Sequence, residues 1–288
     1  MEEYSANFRI ADVTIGLRLP KSVEITEHFR EFYTEEEPEQ CISFRQVLHL
    51  PQICGKLLYR GKQYEVYEEN GVLFRLFKEY SNGFPYAVGC YPALGSPATV
   101  DYLPEGAKHL HQSDNCFFHI GWERLMLQYR RLILHACCVS TEEGGICFSG
   151  PSGIGKSTQG TLWCEYENAS MINGDRPILS KHSGEWMAYG SPYAGSSRCH
   201  VNEKTPLRAI VMLQQAETCS VRRLHTAEAF RKVFAQLTVN SWDRECMQLA
   251  MDLAEQLVET VPVYEMACTP DEIAVKLLKE TLVREGRL

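Results

Sequence analysis

The sequence predicts an α/β chain in two parts: a smaller β-rich domain over residues 1–110, then a domain over 111–288 in which strands and helices mix. Three observations support this division. Residues 1 to about 105 carry alternating and β-branched segments with hairpin-type turns. Between Thr99 and Asp114 the chain has Pro104-Glu105-Gly106 and few apolar residues, the punctuation of a boundary. Beyond it, apolar runs of strand length are interleaved with stretches of helical periodicity.

In the first part Phe8–Leu19 (FRIADVTIGLRL) alternates loosely. Lys56–Tyr67 and Gly71–Phe77 read as strands around the Glu68-Glu69-Asn70-Gly71 turn. Glu35–Gln40 is an acidic, solvated loop. Asp114 is placed to cap a helix through Cys116–Arg130, with Phe117, Ile120, Leu125 and Leu127 toward the core. Leu132–Val139 (LILHACCV) is a compact apolar strand, and Ile146–Ser149 is a second strand that runs into a glycine-rich loop. A helix follows from Lys156 to about Glu165. Strands are expected near Ser170–Ser180 and Glu185–Gly190, then a glycine/serine loop at Ser191–Ser197 and a buried strand at Leu207–Leu213. Ala227–Leu237 and Asp243–Val258 have helical periodicity, and Val261–Ala267 is a last strand. Thr269-Pro270-Asp271-Glu272 reads as a capping box opening the final helix.

Composition excludes several classes. The chain has 288 residues, 44% hydrophobic and 23% charged, the balance of a globular protein with a sizeable core. Its net charge is −8, and it lacks the basic excess that drives nucleic-acid binding. The start, MEEYSANF, has no basic or apolar signal region, and no run of about 18 apolar residues occurs. No membrane partner and a cytoplasmic location are therefore expected. The 12 cysteines are scattered, which reads as reduced thiols. Cys137 and Cys138 are adjacent on a strand and so face opposite sides.

The strongest motif is Gly150-Pro151-Ser152-Gly153-Ile154-Gly155-Lys156-Ser157, a full match to the triphosphate-binding pattern G-x-x-x-x-G-K-[ST], followed by Thr158. A chain of this length matches by chance on the order of once in a hundred, and here a strand precedes the loop and a helix follows. Gly150, Gly153 and Gly155 permit backbone angles closed to other residues, so the loop amides turn inward onto phosphate oxygens. Lys156 supplies positive charge to the β and γ phosphates, and the Ser157 hydroxyl is placed for Mg²⁺. ATP and Mg²⁺ are the expected cofactors.

Asp175, in Met171-Ile172-Asn173-Gly174-Asp175-Arg176, lies in an apolar strand-like segment where an unpaired carboxylate is costly. A metal or an arginine partner accounts for it, and so does a simple turn beside Gly174. His135 interrupts the apolar strand before the loop; it reads either as a core histidine or as a group reaching the phosphates. Arg198, after the loop at Tyr189–Ser197, reads either as a charge for the transferring phosphoryl group or as surface. Arg222-Arg223 reads as a solvated strand end ahead of a phosphate contact. His109, His111, Cys116 and His119 have zinc-ligand chemistry without the tight repeated spacing of a closed site.

Together, LHACCVSTEEGGICFSGPSGIGKSTQ and MINGDRPIL resemble the catalytic domain of HPr kinase/phosphorylase and, more distantly, the ATP-dependent phosphoenolpyruvate carboxykinases. The resemblance covers roughly residues 115–280. It implies a P-loop core with a mixed, partly antiparallel sheet, His135 as the active-site histidine, Lys156 and Ser157 as the phosphate and metal groups, and Asp175 as one of two acidic residues. It also implies a homo-oligomer. Two positions depart from the HPr pattern: Gly174-Asp175 replaces a pair of aspartates, and Thr158 replaces a glutamate, as in the carboxykinases. The first part looks closer to HPr kinase-like proteins found near genes for ribosomally made peptides, some of which phosphorylate a serine of a precursor peptide.

The leading expectation is thus an ATP-dependent kinase acting on a serine hydroxyl of a protein or short peptide, with residues 1–110 recognising the acceptor. A small-molecule kinase on the same scaffold and a nucleotide-binding regulator without turnover are the alternatives. Carboxykinase chemistry is not expected, because the chain is short for that family and its carboxylate-binding arginines are missing.

Overall fold

The computed structural model describes residues 2–193 and 195–288, which form two units meeting at Leu125 and Met126. The division falls later than residue 110 because the following helix packs with the first unit. The Phe117 ring lies 4.5 Å from Phe29 and 5.6 Å from Phe8.

The first unit contains β1 (Glu3–Ile10), β2 (Val13–Pro20), α1 (Glu27–Arg30), β3 (Gln40–Gln46), β4 (Lys56–Arg60), β5 (Tyr64–Glu69), β6 (Val72–Lys78), β7 (Pro85–Tyr91), β8 (Ala98–Tyr102) and α2 (Ser113–His119). Its strands form one sheet in the order β1-β2-β3-β8-β7-β6-β5-β4. All neighbours are antiparallel except β3, which runs parallel to β2 and to β8. The alternating stretch Phe8–Leu19 spans a hairpin, because Ala11 and Asp12 take φ of 51° and 59° and form a two-residue turn. Asn70-Gly71 turns the next hairpin in the same way, at 52° and 79°.

The helix expected over Cys116–Arg130 is broken at Gly121, whose φ is 69°, into α2 and α3 (Trp122–Gln128). Asp114 is not its cap: Gln112 holds that position. The Asp114 carboxylate instead accepts from Thr26 Oγ1 at 3.0 Å and pairs with His28 Nε2 at 2.8 Å. The zinc-type residues are also engaged otherwise. His119 is buried, with Nδ1 donating to the Asn115 carbonyl at 2.6 Å and Nε2 accepting from Tyr86 Oη at 2.9 Å. His109 contacts Glu79, and no cluster of three metal-ligating side chains occurs among the described residues.

The second unit contains β9 (Leu132–Ile133), β10 (Ala136–Ser140), β11 (Gly145–Ser149), α4 (Lys156–Glu167), β12 (Ser170–Asn173), β13 (Ile178–His182), β14 (Glu185–Tyr189), β15 (Lys204–Gln215), β16 (Ser220–Arg223), α5 (Thr226–Phe234), α6 (Arg244–Thr260), β17 (Val263–Cys268) and α7 (Glu272–Arg284). The sheet runs β12-β10-β11-β15-β14-β13-β9, with β17 also on β15 and β16 beside β17. It is mixed: β11 and β17 run parallel to β15, and the other pairs are antiparallel.

Alternation along the strands feeds two apolar clusters on opposite faces. Cys138 and Ile210 join Leu253 and Leu257 of α6; Cys137 and Val211 join Trp163 of α4 and Leu278 of α7. All twelve cysteines are free thiols. The final helix is capped by Asp271, not Thr269: its Oδ1 accepts from the Ile273 and Ala274 amides at 3.0 and 3.3 Å, with Pro270 just before the cap. Among the described residues, no helix is long and apolar enough to cross a membrane.

Candidate active site

Strand β11 delivers the chain to the glycine-rich loop, and α4 carries it away. Gly150, Gly153 and Gly155 take φ of 146°, 78° and 111°, values that favour glycine at all three places. Gly155 sits at the N-cap of α4, and no side chain caps that end. The first amides of the helix are thereby left for an anion. Lys156 is 8% exposed, and its Nζ donates to the Gly150 and Pro151 carbonyls, both at 3.1 Å. Burial lowers the Lys156 pKa, while the nearby Asp175 carboxylate acts in the opposite direction. Pro151, Ser152 and Gly153 are exposed at the tip; Ile154 packs against the α4/α7 cluster.

Asp175 is not within a strand. It lies on the bend between β12 and β13, which Asn173 builds. The Asn173 side-chain oxygen accepts from the Asp175 and Arg176 amides at 2.9 and 2.6 Å, a turn in which the side chain stands in for backbone. Asn173 is fully buried; its Nδ2 donates to the Ser191 carbonyl, Ser191 Oγ and the Tyr193 carbonyl at 3.0, 3.2 and 3.1 Å. Ser191 Oγ in turn donates to the Arg176 carbonyl at 2.7 Å. Replacing Asn173 with alanine strands these buried partners. Unfolding free energy in a urea titration is expected to fall by about 2–4 kcal/mol.

The bend aims the Asp175 carboxylate between two basic groups: Oδ1 lies 3.4 Å from His135 Nε2, and Oδ2 lies 3.3 Å from Arg176 Nε. Arg176 is itself held by Thr238 Oγ1, at 2.5 Å from Nη1. The Ser157 hydroxyl donates to the Gly174 carbonyl at 3.4 Å, which ties the loop to this bend.

His135 does not sit inside a strand either. It occupies the break between β9, which pairs with β13, and β10, which pairs with β11 and β12. Its amide donates to the Gln236 carbonyl and its carbonyl accepts from Ser149 Oγ, each at 2.9 Å. Burial and the Lys156 cation lower its pKa; Asp175 and a hydrogen bond with Gln236 pull the other way. The folded chain therefore binds fewer protons at His135 than the unfolded chain does, and this group's contribution to stability falls as pH drops below its ordinary value of 6.5. A ring titration by NMR should place the midpoint below 6.5, raise it in Lys156→Ala and lower it in Asp175→Asn.

His135, Ser152, Gly153, Gly155, Lys156, Ser157, Thr158, Gly174 and Asp175 line one polar cleft of about 260 Å3. Arg198 is not part of this lining. It is exposed, with φ of 55°, just after the Gly195–Ser197 turn, whose Gly195 packs against Asp175. Ala194, in the same loop, lies outside the described residues. Arg222 and Arg223 are tied to Glu228, Glu265 and Glu285, as a solvated strand end would be. The donors fit Mg²⁺: a carboxylate on Asp175 and a hydroxyl on Ser157 flank one cleft. This ion characteristically takes one or two protein oxygens and fills its shell with phosphate and water.

The structure is similar to that of the Hpr(Ser) kinase/phosphatase from Coxiella burnetii. The two chains are 15% identical, with a TM-score of 0.33 over 54% of this chain and 90% of that one. No protein-family model and no curated protein matches the sequence.

Proposed function

We propose that the second unit binds ATP with Mg²⁺ at the Gly150–Thr158 loop and transfers the terminal phosphate to a hydroxyl, that of a serine in a protein or short peptide. One observation carries this reading: a single cleft gathers a buried lysine, a hydroxyl and a carboxylate, and that carboxylate is flanked by a histidine and an arginine. The loop amides hold the phosphates, and Lys156 exchanges its two carbonyl partners for β- and γ-phosphate oxygens. Ser157 and Asp175 would hold Mg²⁺, which neutralises charge on the transferring group when bound. Arg176 adds positive charge beside Asp175. His135, kept neutral by burial and by Lys156, takes the proton of the attacking hydroxyl. The first unit would present the acceptor.

The test is transfer from γ-labelled ATP to serine-containing peptides by the full chain. Label on serine, lost in Lys156→Ala, is the expected result. Label found only on small alcohols would make it a small-molecule kinase. ATP binding with no transfer to any hydroxyl would make it a nucleotide-dependent regulator and overturn the reading.

A further inference from the structure

The first unit has an open sheet edge with a groove along it. The two-residue turn at Ala11-Asp12 makes Ile10–Val13 a hydrogen-bonded pair, so even-numbered residues of β1 bond β2 and odd-numbered ones turn their backbone outward. Two contacts agree with this parity. The Arg9 amide donates outward to the Phe32 carbonyl at 2.8 Å, and the Asn7 carbonyl accepts from the Thr34 amide at 3.0 Å. There the covering segment ends. The Ser5 amide and carbonyl and the Asn7 amide face outward with no backbone partner among the described residues, and Ser5 is exposed. Tyr4, Ser5, Ala6, Asn7, Tyr33, Thr34 and Glu35 line the groove, which measures about 430 Å3.

We infer that this edge takes an extended, basic peptide segment as an added strand. An unpaired strand edge is a template for main-chain pairing, and the residues beside it choose the partner. Tyr33, 46% exposed and stacked on Phe8 at 5.1 Å, gives the groove an aromatic wall. Glu3 on β1 and Glu35 in the groove wall are exposed and carry no ion pair among the described residues; Arg9 is already tied to Asp12 and Glu36, and exposed Arg18 stands opposite Ser5 on β2. Lysine or arginine side chains on the incoming strand are complementary to these carboxylates. A second copy of this chain offers no such cation: the open part of its β1 carries Glu3, Ser5 and Asn7, and its Arg9 is already tied to Asp12 and Glu36. The opposite edge of the sheet is guarded. β4 carries Lys56 and Arg60 and a register shift between Leu57 and Tyr59, devices that blunt an edge.

Docking here needs neither nucleotide nor the glycine-rich loop, so it stands or falls separately from the kinase reading. The experiment is fluorescence anisotropy of a labelled peptide alternating lysine and valine, titrated with the full chain in the absence of ATP. Binding that weakens with salt is expected, together with no binding of the same peptide N-methylated on its backbone. Ser5→Pro removes an outward amide that β2 does not use and should weaken binding about tenfold. The double change Glu3→Lys, Glu35→Lys alters only exposed side chains; it should weaken binding comparably and flatten the salt dependence, even if Ser5→Pro lowers Tm. The inference is overturned by absence of binding, by equal binding of the N-methylated peptide, or by affinity unmoved in both variants. It is also overturned by self-association that Ser5→Pro abolishes, since a second copy would then occupy the edge.

Discussion

Lys156→Ala is expected to weaken ATP binding about ten- to a hundredfold and to slow transfer by a further hundred- to thousandfold. The ammonium is the cationic side chain of the loop itself, and two carbonyls hold it in the cleft at 3.1 Å. Its loss removes charge from the cleft proposed for the phosphates, at a buried position where water compensates poorly. Folding should not suffer. Burial already lowers the pKa of this group, so the fold bears the cation at a cost, and Tm should hold or rise. Calorimetric titration with ATP and a thermal melt on the same sample separate the two effects. A melt that collapses together with binding would assign Lys156 a structural role instead.

Asp175→Asn should have the second large effect, of a different kind. The bend around it is made by Asn173 and by backbone, and the Asp175 carbonyl accepts from the Ala136 amide at 3.0 Å; an amide side chain leaves all of this intact. ATP alone should therefore still bind. The enhancement of binding by Mg²⁺ should disappear and transfer should fall about a hundred- to thousandfold, because an amide oxygen is a weak ligand for a hard cation. Binding curves with and without Mg²⁺, followed by single-turnover transfer, read both quantities. Unchanged Mg²⁺ dependence would remove Asp175 from the metal.

What the residues disclosed, and what they hid, follows from the range of the interactions. The glycine-rich loop was legible because its pattern is local: three glycines, a lysine and a hydroxyl lie within the eight residues Gly150–Ser157. The Asn70-Gly71 hairpin was legible for the same reason. Asp175 and His135 were found as residues but placed on strands, because apolar neighbours on both sides imitate a continuous run. The signal for a bend was present in Asn173-Gly174-Asp175, where asparagine two residues ahead can bond the aspartate amide. Ser191, Gln236 and Thr238, which fix Asn173, His135 and Arg176, left no local trace; they come from distant segments. The parallel placement of β3 between β2 and β8 was hidden likewise, as was the break at Gly121, where helical periodicity runs on through the glycine.

The break at His135 and the bend at Asp175 share a property that bears on how freely the cleft can be altered. Both side chains lie between strands, and neither belongs to either apolar cluster of the second unit. Exchanging them costs the sheet little, whereas exchanging Asn173 or Ser191 would not be tolerated so easily. An acidic group on this bend can therefore be exchanged, or the histidine opposite replaced, with little effect on folding. Asp175 beside Gly174 is in this sense a replaceable group on a frame that does not depend on it, which makes its exchange a clean probe of chemistry apart from folding.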